Sequence, residues 1–385
     1  MNFIPYTGGI ATHLLSLAQS LPEYDFELLT NSYPRVPDEE TFLKNLLVRR
    51  IGPPDYARYP PPGVGEKLLL AYTAFADGVR TLRIKKRVRE SPWALFHFHD
   101  MDHTYVRLAL ALRMGWLDVL GRRIGALPTD RGHSVITVHS SFAPGVDPRL
   151  HHWRRWLHLQ FRNLICVEPP LKEEVEATFR EANLPAKIWY VPNAIDMKRF
   201  HPRPKDRAGP LVLGFAGRLE GAKGERFLWG LVEHLPEDVE LRLLCSGYPP
   251  RIDLLRRRIR NRHVRILDPV PYDQMPDFYN SVDLIINPVQ LDYCVTRVTL
   301  EALACGVPVV MFPGHRNPLI DRETGFIIPP RIESLQAILE EVRHDPELLR
   351  RLGAEGRRRV ESPFGLEVFA ETMRGIYRQI QETPA

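Results

Sequence analysis

The 385-residue chain has little cysteine and no long apolar run. Its four cysteines, Cys166, Cys245, Cys294 and Cys305, have no C-x-x-C spacing and sit mostly in apolar surroundings, which fits reduced thiols and argues against a zinc site. No stretch of 18 or more apolar residues occurs, so the sequence contains no candidate membrane-spanning helix. The start, MNFIPYTGG, lacks the basic and apolar regions of a signal peptide. Together these absences predict a cytoplasmic protein. No solenoid-length repeat is present. The net charge of +5 is modest for the length and would serve nucleic acid, anionic lipid or nucleotide phosphates equally well.

What is present is the composition of a soluble globular protein, 44% hydrophobic and 26% charged, long enough for two domains. Helix-length and strand-length segments alternate throughout, the α/β signature. The first half carries strands near Phe26–Thr30, Leu95–His99, Ser134–His139, Leu164–Val167 and Ile188–Val191. Pro53–Gly65 is punctuated as an irregular loop. The second half has strands near Leu211–Ala216, Glu240–Cys245, Val264–Leu267, Leu284–Asn287, Pro308–Phe312 and Gly325–Ile328, and the tail from Phe364 to Ile380 reads as helical. The proline-rich, charged stretch Val191–Pro210 marks the domain boundary.

Chemistry-bearing residues collect at strand ends. Leu211–Gly224, LVLGFAGRLEGAKG, places Arg218 and Lys223 just beyond a buried strand and near the start of the next helix, where unpaired backbone N–H groups point outward. Two cations there make a receptor for a diphosphate; a surface loop with solvated charges is the bland alternative. Gly8 and Gly9 precede a helix starting near Ala11, a turn whose amides can approach a phosphate closely. Only Asn2 to Tyr6 come before that turn, short for an average strand of about 5–6 residues. This predicts either a truncated first strand or a start codon further upstream. WALFHFHDMDH (93–103) ends a strand with His97, His99, Asp100 and His103, and VITVHSS (135–141) ends the next with His139. Such strand ends line the crevice side of a parallel sheet.

Four motifs in a fixed order carry a family resemblance: TGGIATHLLSLAQSL (7–21), VPNAIDMKRFHP (191–202), GRLEGAKG (217–224) and VTLEALACGVPVV (298–310). They resemble the retaining nucleotide-sugar glycosyltransferases of family 4, which share the GT-B architecture with glycogen synthases. The resemblance implies two doubly wound Rossmann-like domains facing a central cleft. Residues 1–200 would be the acceptor-binding domain and 201–363 the nucleotide-sugar-binding domain, with a C-terminal helix, 364–385, crossing back. It further implies transfer from a nucleotide-diphosphate sugar to a glycan or lipid-linked acceptor with retention of configuration. No metal or other cofactor is implied, because Arg218 and Lys223 neutralise the leaving diphosphate. Glu301 would accept the ribose hydroxyls, His139 would lie beside the donor sugar, and His99 and Asp100 would face the acceptor. His97 reads as a core residue.

One departure from the family pattern stands out. The family carries a Glu seven intervening residues before the position of Glu301, followed by a glycine-containing turn. Here that place is Tyr293, the next residues are Cys294, Val295 and Thr296, and Asp292 is one position early. The donor-binding loop Asp292–Thr296 must therefore hold the sugar differently. The departure keeps open a non-catalytic nucleotide-sugar-binding homologue; an epimerase or phosphorylase chemistry on the same fold is a further alternative. Arg80–Arg89 and Arg149–Arg162 interleave cations with apolar residues at helical spacing, a pattern that binds an anionic membrane surface or, alternatively, forms a solvated helix face over a core stripe. The first reading would place the protein at the inner membrane face. No nucleic-acid-binding module is recognisable.

Overall fold

The structure, a computed structural model, describes residues 9–32, 36–53, 95–99, 133–139, 155–204, 209–219, 221–246, 249–289, 296–314 and 318–382, with helical positions scattered between 68 and 90. The chain divides into two compact units, residues 1–192 with 369–385, and residues 193–368.

The first unit begins with α1 (Gly9–Ser20), whose Ala11, Leu14, Leu17 and Ala18 are buried at helical spacing. A small sheet follows from β1 (Phe26–Asn31), β2 (Glu39–Leu43) and β3 (Leu46–Ile51), in the order β1-β3-β2. β2 and β3 are absent from the sequence reading. β2 begins with two glutamates, a poor strand signal, and is held by its neighbour: Glu40 pairs with Arg50 at 2.8 Å across the ladder, and Glu39 pairs with Arg49. The main sheet of this unit is parallel, β4 (Phe96–His99), β5 (Ser134–Val138), β6 (Asn163–Cys166) and β7 (Lys187–Tyr190) in that order, with α2 (Pro169–Glu181) crossing between the last two. β5 is buried along its whole length, the mark of a strand covered on both faces. Leu157 and Phe161, the apolar part of the Arg149–Arg162 stretch, are fully buried with β5 and β6, so the described part of that stretch is a core stripe.

The second unit is a six-stranded sheet with every pairing parallel: β8 (Leu211–Arg218), β9 (Val239–Ser246), β10 (Val264–Leu267), β11 (Leu284–Asn287), β12 (Val309–Met311) and β13 (Gly325–Ile327). Spatially the order is β10-β9-β8-β11-β12-β13. Counted from β8, this is the doubly wound order 3-2-1-4-5-6. Helices cover both faces. α3 (Glu225–Glu233), α4 (Pro249–Arg258), α7 (Ile332–His344) and α8 (Pro346–Glu361) bury one core, while α5 (Met275–Asn280) and α6 (Arg297–Ala304) bury the other. α6 stops at Gly306, whose φ of +70 suits glycine; Gly306 N–H reaches Leu303 O at 2.9 Å and Val307 N–H reaches Ala302 O at 2.9 Å, a Schellman stop. α8 starts where Asp345 caps Leu348 N–H at 3.0 Å with Pro346 in the first turn. The last helix, α9 (Leu366–Glu382), buries Phe369, Met373, Ile376, Tyr377 and Ile380, and from Phe369 onward it belongs to the first unit.

Candidate active site

In the first unit the candidate side chains come from strand alternation. His97 and His99 are two apart on β4, and Thr137 and His139 are two apart on β5 and its end, so all four stand on one face of the parallel pair. Phe98 points the other way and packs on Phe161, ring centroids 5.2 Å apart. His99 Nδ1 lies 3.2 Å from His139 Nε2, one N–H···N hydrogen bond. His97 stacks on His99 with centroids 4.2 Å apart, and its own nitrogens bond Tyr377 OH at 2.6 Å and Thr137 Oγ1 at 2.7 Å. His13, on α1, sets its ring edge-on to His139 at 4.9 Å and to Phe369 at 5.5 Å.

Burial dominates the electrostatics of this cluster. Desolvation pushes His97 and His99 well below the usual histidine range, with the neighbouring rings adding to the effect, and pushes His139 down to about 3. These rings are therefore neutral near pH 7 and offer hydrogen bonds, not charge. His13, His99 and His139 place one nitrogen each within 4.8 Å of one another, the spacing of a possible metal-ligand set among the described residues. His97, read from the sequence as a core residue, is held through both ring nitrogens and links β4 to the last helix. His13, Phe369 and Tyr377 were not picked out; His13 lies inside the TGGIATH segment, but Tyr377 is brought close only by folding. Gly9 opens α1. Gly8 and Asp100 lie outside the described residues.

In the second unit the switch point of the sheet falls between β8 and β11, the place where open α/β sheets bind ligands. Arg218 is the last residue of β8 and is exposed; Lys223 is half-buried in the single 3-10 turn (Gly221–Lys223) before α3. Gly224 follows at φ +80, and a Cβ there would meet Pro288 O at 2.3 Å, so only glycine lets this loop close onto the end of β11. On the β11 side, Asn287 Nδ2 donates to Thr296 Oγ1 at 2.5 Å and Thr299 Oγ1 at 3.0 Å, tying the strand end to the start of α6. Asp292, Tyr293, Cys294 and Val295 lie outside the described residues; Thr296 is buried.

Glu301, on α6, is 4% exposed and its carboxylate is already held. Tyr279 OH donates to Oε2 at 2.8 Å, and Arg297 Nε lies 3.5 Å from Oε1. Arg297 in turn donates to Tyr272 OH at 2.8 Å. Burial raises the Glu301 carboxyl above its ordinary value, and Arg297 with Tyr279 draws it part of the way back. Sequence reasoning missed Arg297, Tyr272 and Tyr279. The i,i+4 spacing of Arg297 and Glu301 was a legible signal for the first, but nothing local announces the tyrosines.

Comparison with known proteins defines the class. A sucrose-phosphate synthase from Thermosynechococcus elongatus is similar in fold over 97% of this chain and 94% of its own, with a TM-score of 0.71 at 19% identity. The chain therefore has the GT-B fold. The family described as Glycosyltransferase Family 4 matches residues 7–199, and that described as Glycosyl transferases group 1 matches residues 210–345. The chain belongs to Glycosyltransferase Family 4. A D-inositol 3-phosphate glycosyltransferase from Xylanimonas cellulosilytica is 31% identical over 217 residues, covering 50% of this chain and 51% of the relative. A GDP-mannose-dependent monoacylated alpha-(1-6)-phosphatidylinositol monomannoside mannosyltransferase from Corynebacterium glutamicum is 27% identical over 215 residues, 49% of this chain and 55% of that protein. The alignments thus span about half the length of these relatives.

Proposed function

We propose that this protein is a glycosyltransferase that moves a sugar from a nucleotide-diphosphate sugar to a glycan or lipid-linked acceptor, with retention of configuration. The observation that carries the reading is the pair Arg218 and Lys223 at the switch-point edge of a doubly wound sheet, with Glu301 following the adjacent strand. Breaking the sugar–diphosphate bond builds negative charge on the departing phosphate, and prepositioned cations stabilise that charge. Arg218 and Lys223 take this role, and no bound metal is needed for it. Glu301 accepts from the ribose through the capacity left on its Oε1. His139, neutral, gives or takes a hydrogen bond at the donor sugar, and His99 serves the acceptor side. Retention without an enzyme nucleophile follows if the acceptor attacks from the face the diphosphate leaves. A lipid-linked acceptor, in keeping with the phosphatidylinositol monomannoside named for the Corynebacterium relative, would put a cytoplasmic enzyme at the inner membrane face.

A second reading, a nucleotide-sugar-binding protein without turnover, is favoured by Tyr293 in the place of a carboxylate and by the engagement of Glu301 with Arg297 and Tyr279. A panel of nucleotides and nucleotide sugars separates the two. Ligand at about 100 times its dissociation constant stabilises by about 2.7 kcal/mol, which a thermal shift detects. Turnover of a shifting donor, with the product anomer matching the donor anomer, supports retaining transfer. Binding without turnover by any panel member replaces it with the second reading.

A further inference from the structure

We infer that His13, His99 and His139 of the first unit form a binding site for a divalent transition-metal ion of the zinc class, each ring giving one nitrogen. The three come from three elements: His13 from α1, His99 from the end of β4 and His139 from just beyond β5. One nitrogen of each lies within 4.8 Å of the other two. A Zn–N bond of about 2.0–2.1 Å sets tetrahedral ligand nitrogens about 3.3–3.4 Å apart and the ring centroids roughly 5 Å apart. His99 Nδ1 and His139 Nε2 stand at 3.2 Å. The centroids are 5.5 Å apart for His13 and His99, 4.9 Å for His13 and His139, and 5.5 Å for His99 and His139. The rings therefore already stand at the separations of a three-histidine site.

Hydrogen bonding alone does not account for the cluster. A neutral imidazole has one N–H and one bare nitrogen, and burial makes either costly when it is left unmet. His99 is 3% exposed; its Nδ1 faces His139, while its Nε2 is buried with no hydrogen-bond partner among the described residues. Neighbours fix the rings in place: His97, held by Tyr377 and Thr137, stacks on His99, and Phe369 stands edge-on to His13. Groups that orient a ligating ring raise its affinity for metal. The donor set selects the ion. Three imidazoles suit Zn²⁺, Co²⁺, Ni²⁺ or Cu²⁺, whereas Mg²⁺ and Ca²⁺ take oxygen ligands. Each neutral ring binds through its bare nitrogen and keeps its one proton on the other, so no proton need leave the cluster. Three protein ligands leave a fourth position for water. His139 is only half-buried and gives the ion its way in.

The site itself needs neither donor nor acceptor. Its consequence rests on the reading of His139 as a hydrogen-bonding partner of the donor sugar: an ion on His139 withdraws that nitrogen, so zinc is a reversible inhibitor of transfer. The full chain, stripped with EDTA and dialysed, is titrated with zinc chloride by calorimetry and with cobalt chloride by visible absorption. One tight equivalent of Zn²⁺ is expected, with the Co²⁺ bands of a four-coordinate nitrogen site, and X-ray absorption at the zinc edge should show nitrogen neighbours at about 2.0–2.1 Å. His13→Gln and His139→Gln should each weaken Zn²⁺ binding by more than the roughly 100-fold that loss of a supporting group costs. His344→Gln, which removes an exposed histidine, should bind as the parent does. Metal-free melting curves check each fold; the half-buried His139 carries the mutational test if the buried His13 variant does not fold, and the parent's spectra need no variant. Absence of stoichiometric binding, sulfur neighbours at the zinc, or a folded His139→Gln that binds as the parent overturns the inference. Zinc binding that leaves turnover unchanged overturns the inhibition alone. A chain that binds zinc but transfers sugar from no donor leaves the metal site standing and removes only the catalytic reading.

Discussion

The hydroxyl of Tyr377 lies 2.6 Å from Nδ1 of His97, joining two residues 280 positions apart in the chain. Through it the last helix reaches a ring that stacks on His99, itself hydrogen-bonded to His139. Tyr377→Phe retains the ring, which packs against Tyr24 with centroids 5.6 Å apart, and removes only the hydrogen bond. The expected loss of stability is about 1 kcal/mol. The His97 ring should also change tautomer balance, seen in its nitrogen chemical shifts, and the turnover number should fall with little change in donor KM. Unchanged shifts and turnover would mean that the bond does not position the cluster.

The histidine cluster sets an acid limit to stability. His139 is held down to about 3, against about 6.5 for an unfolded chain, and His97 and His99 are lowered in the same direction by burial. Between those pH values the unfolded chain binds protons that the folded chain refuses. Stability from these groups is therefore complete above about pH 6.5 and is lost as the pH falls toward 3. His139→Gln should flatten the melting temperature against pH across that window. A slope identical to the parent's would show that His139 does not titrate as its burial requires.

Arg218→Ala and Lys223→Ala should each reduce turnover by on the order of a hundredfold and weaken nucleotide-diphosphate binding, while the fold stays intact. Arg218 is exposed and Lys223 half-buried, so neither removal opens the core. Steady-state kinetics with melting curves decide it: two variants with parental kinetics would remove both residues from the diphosphate site.

The buried Arg297–Glu301 pair gives an asymmetric mutational pattern. Arg297→Met leaves the Glu301 carboxylate without its cation and should cost about 3–5 kcal/mol. Combining Arg297→Met with Glu301→Gln should recover part of that loss, because the uncompensated charge is gone. Additive losses in a double-mutant cycle would contradict coupling across the 3.5 Å contact. If Glu301 also takes the ribose, the parent should bind 2′,3′-dideoxy nucleotides more weakly than ribonucleotides, and Glu301→Gln should narrow that difference. Equal affinity in the parent would leave Glu301 a purely internal role.

Much of this architecture was legible in the chain. The six strands of the second unit are each found within a residue or two of where the sequence puts them; β11 and β12, buried along their whole length, are apolar throughout save for Asn287 at the end of β11, while β9 alternates charged with buried apolar residues. The Cys305-Gly306 stop ends α6 as its backbone chemistry requires. Arg218 and Lys223 were picked out as candidates because they follow an apolar run, and Glu301 because its segment resembles a family motif. Tertiary structure alone decided the rest. β2 is held where its glutamates accept hydrogen bonds from Arg49 and Arg50 of β3, and no property local to residues 39–43 demands a strand. The neutrality of His139 comes from burial, whereas a sequence shows only that a histidine is there. The contacts of His97 with Tyr377 and of Glu301 with Tyr279 span 280 and 22 positions, and sequence periodicity reports neighbours on one element, not partners on two. Residue type and spacing determined which groups could do chemistry; packing determined which of them are charged, which are held, and by what.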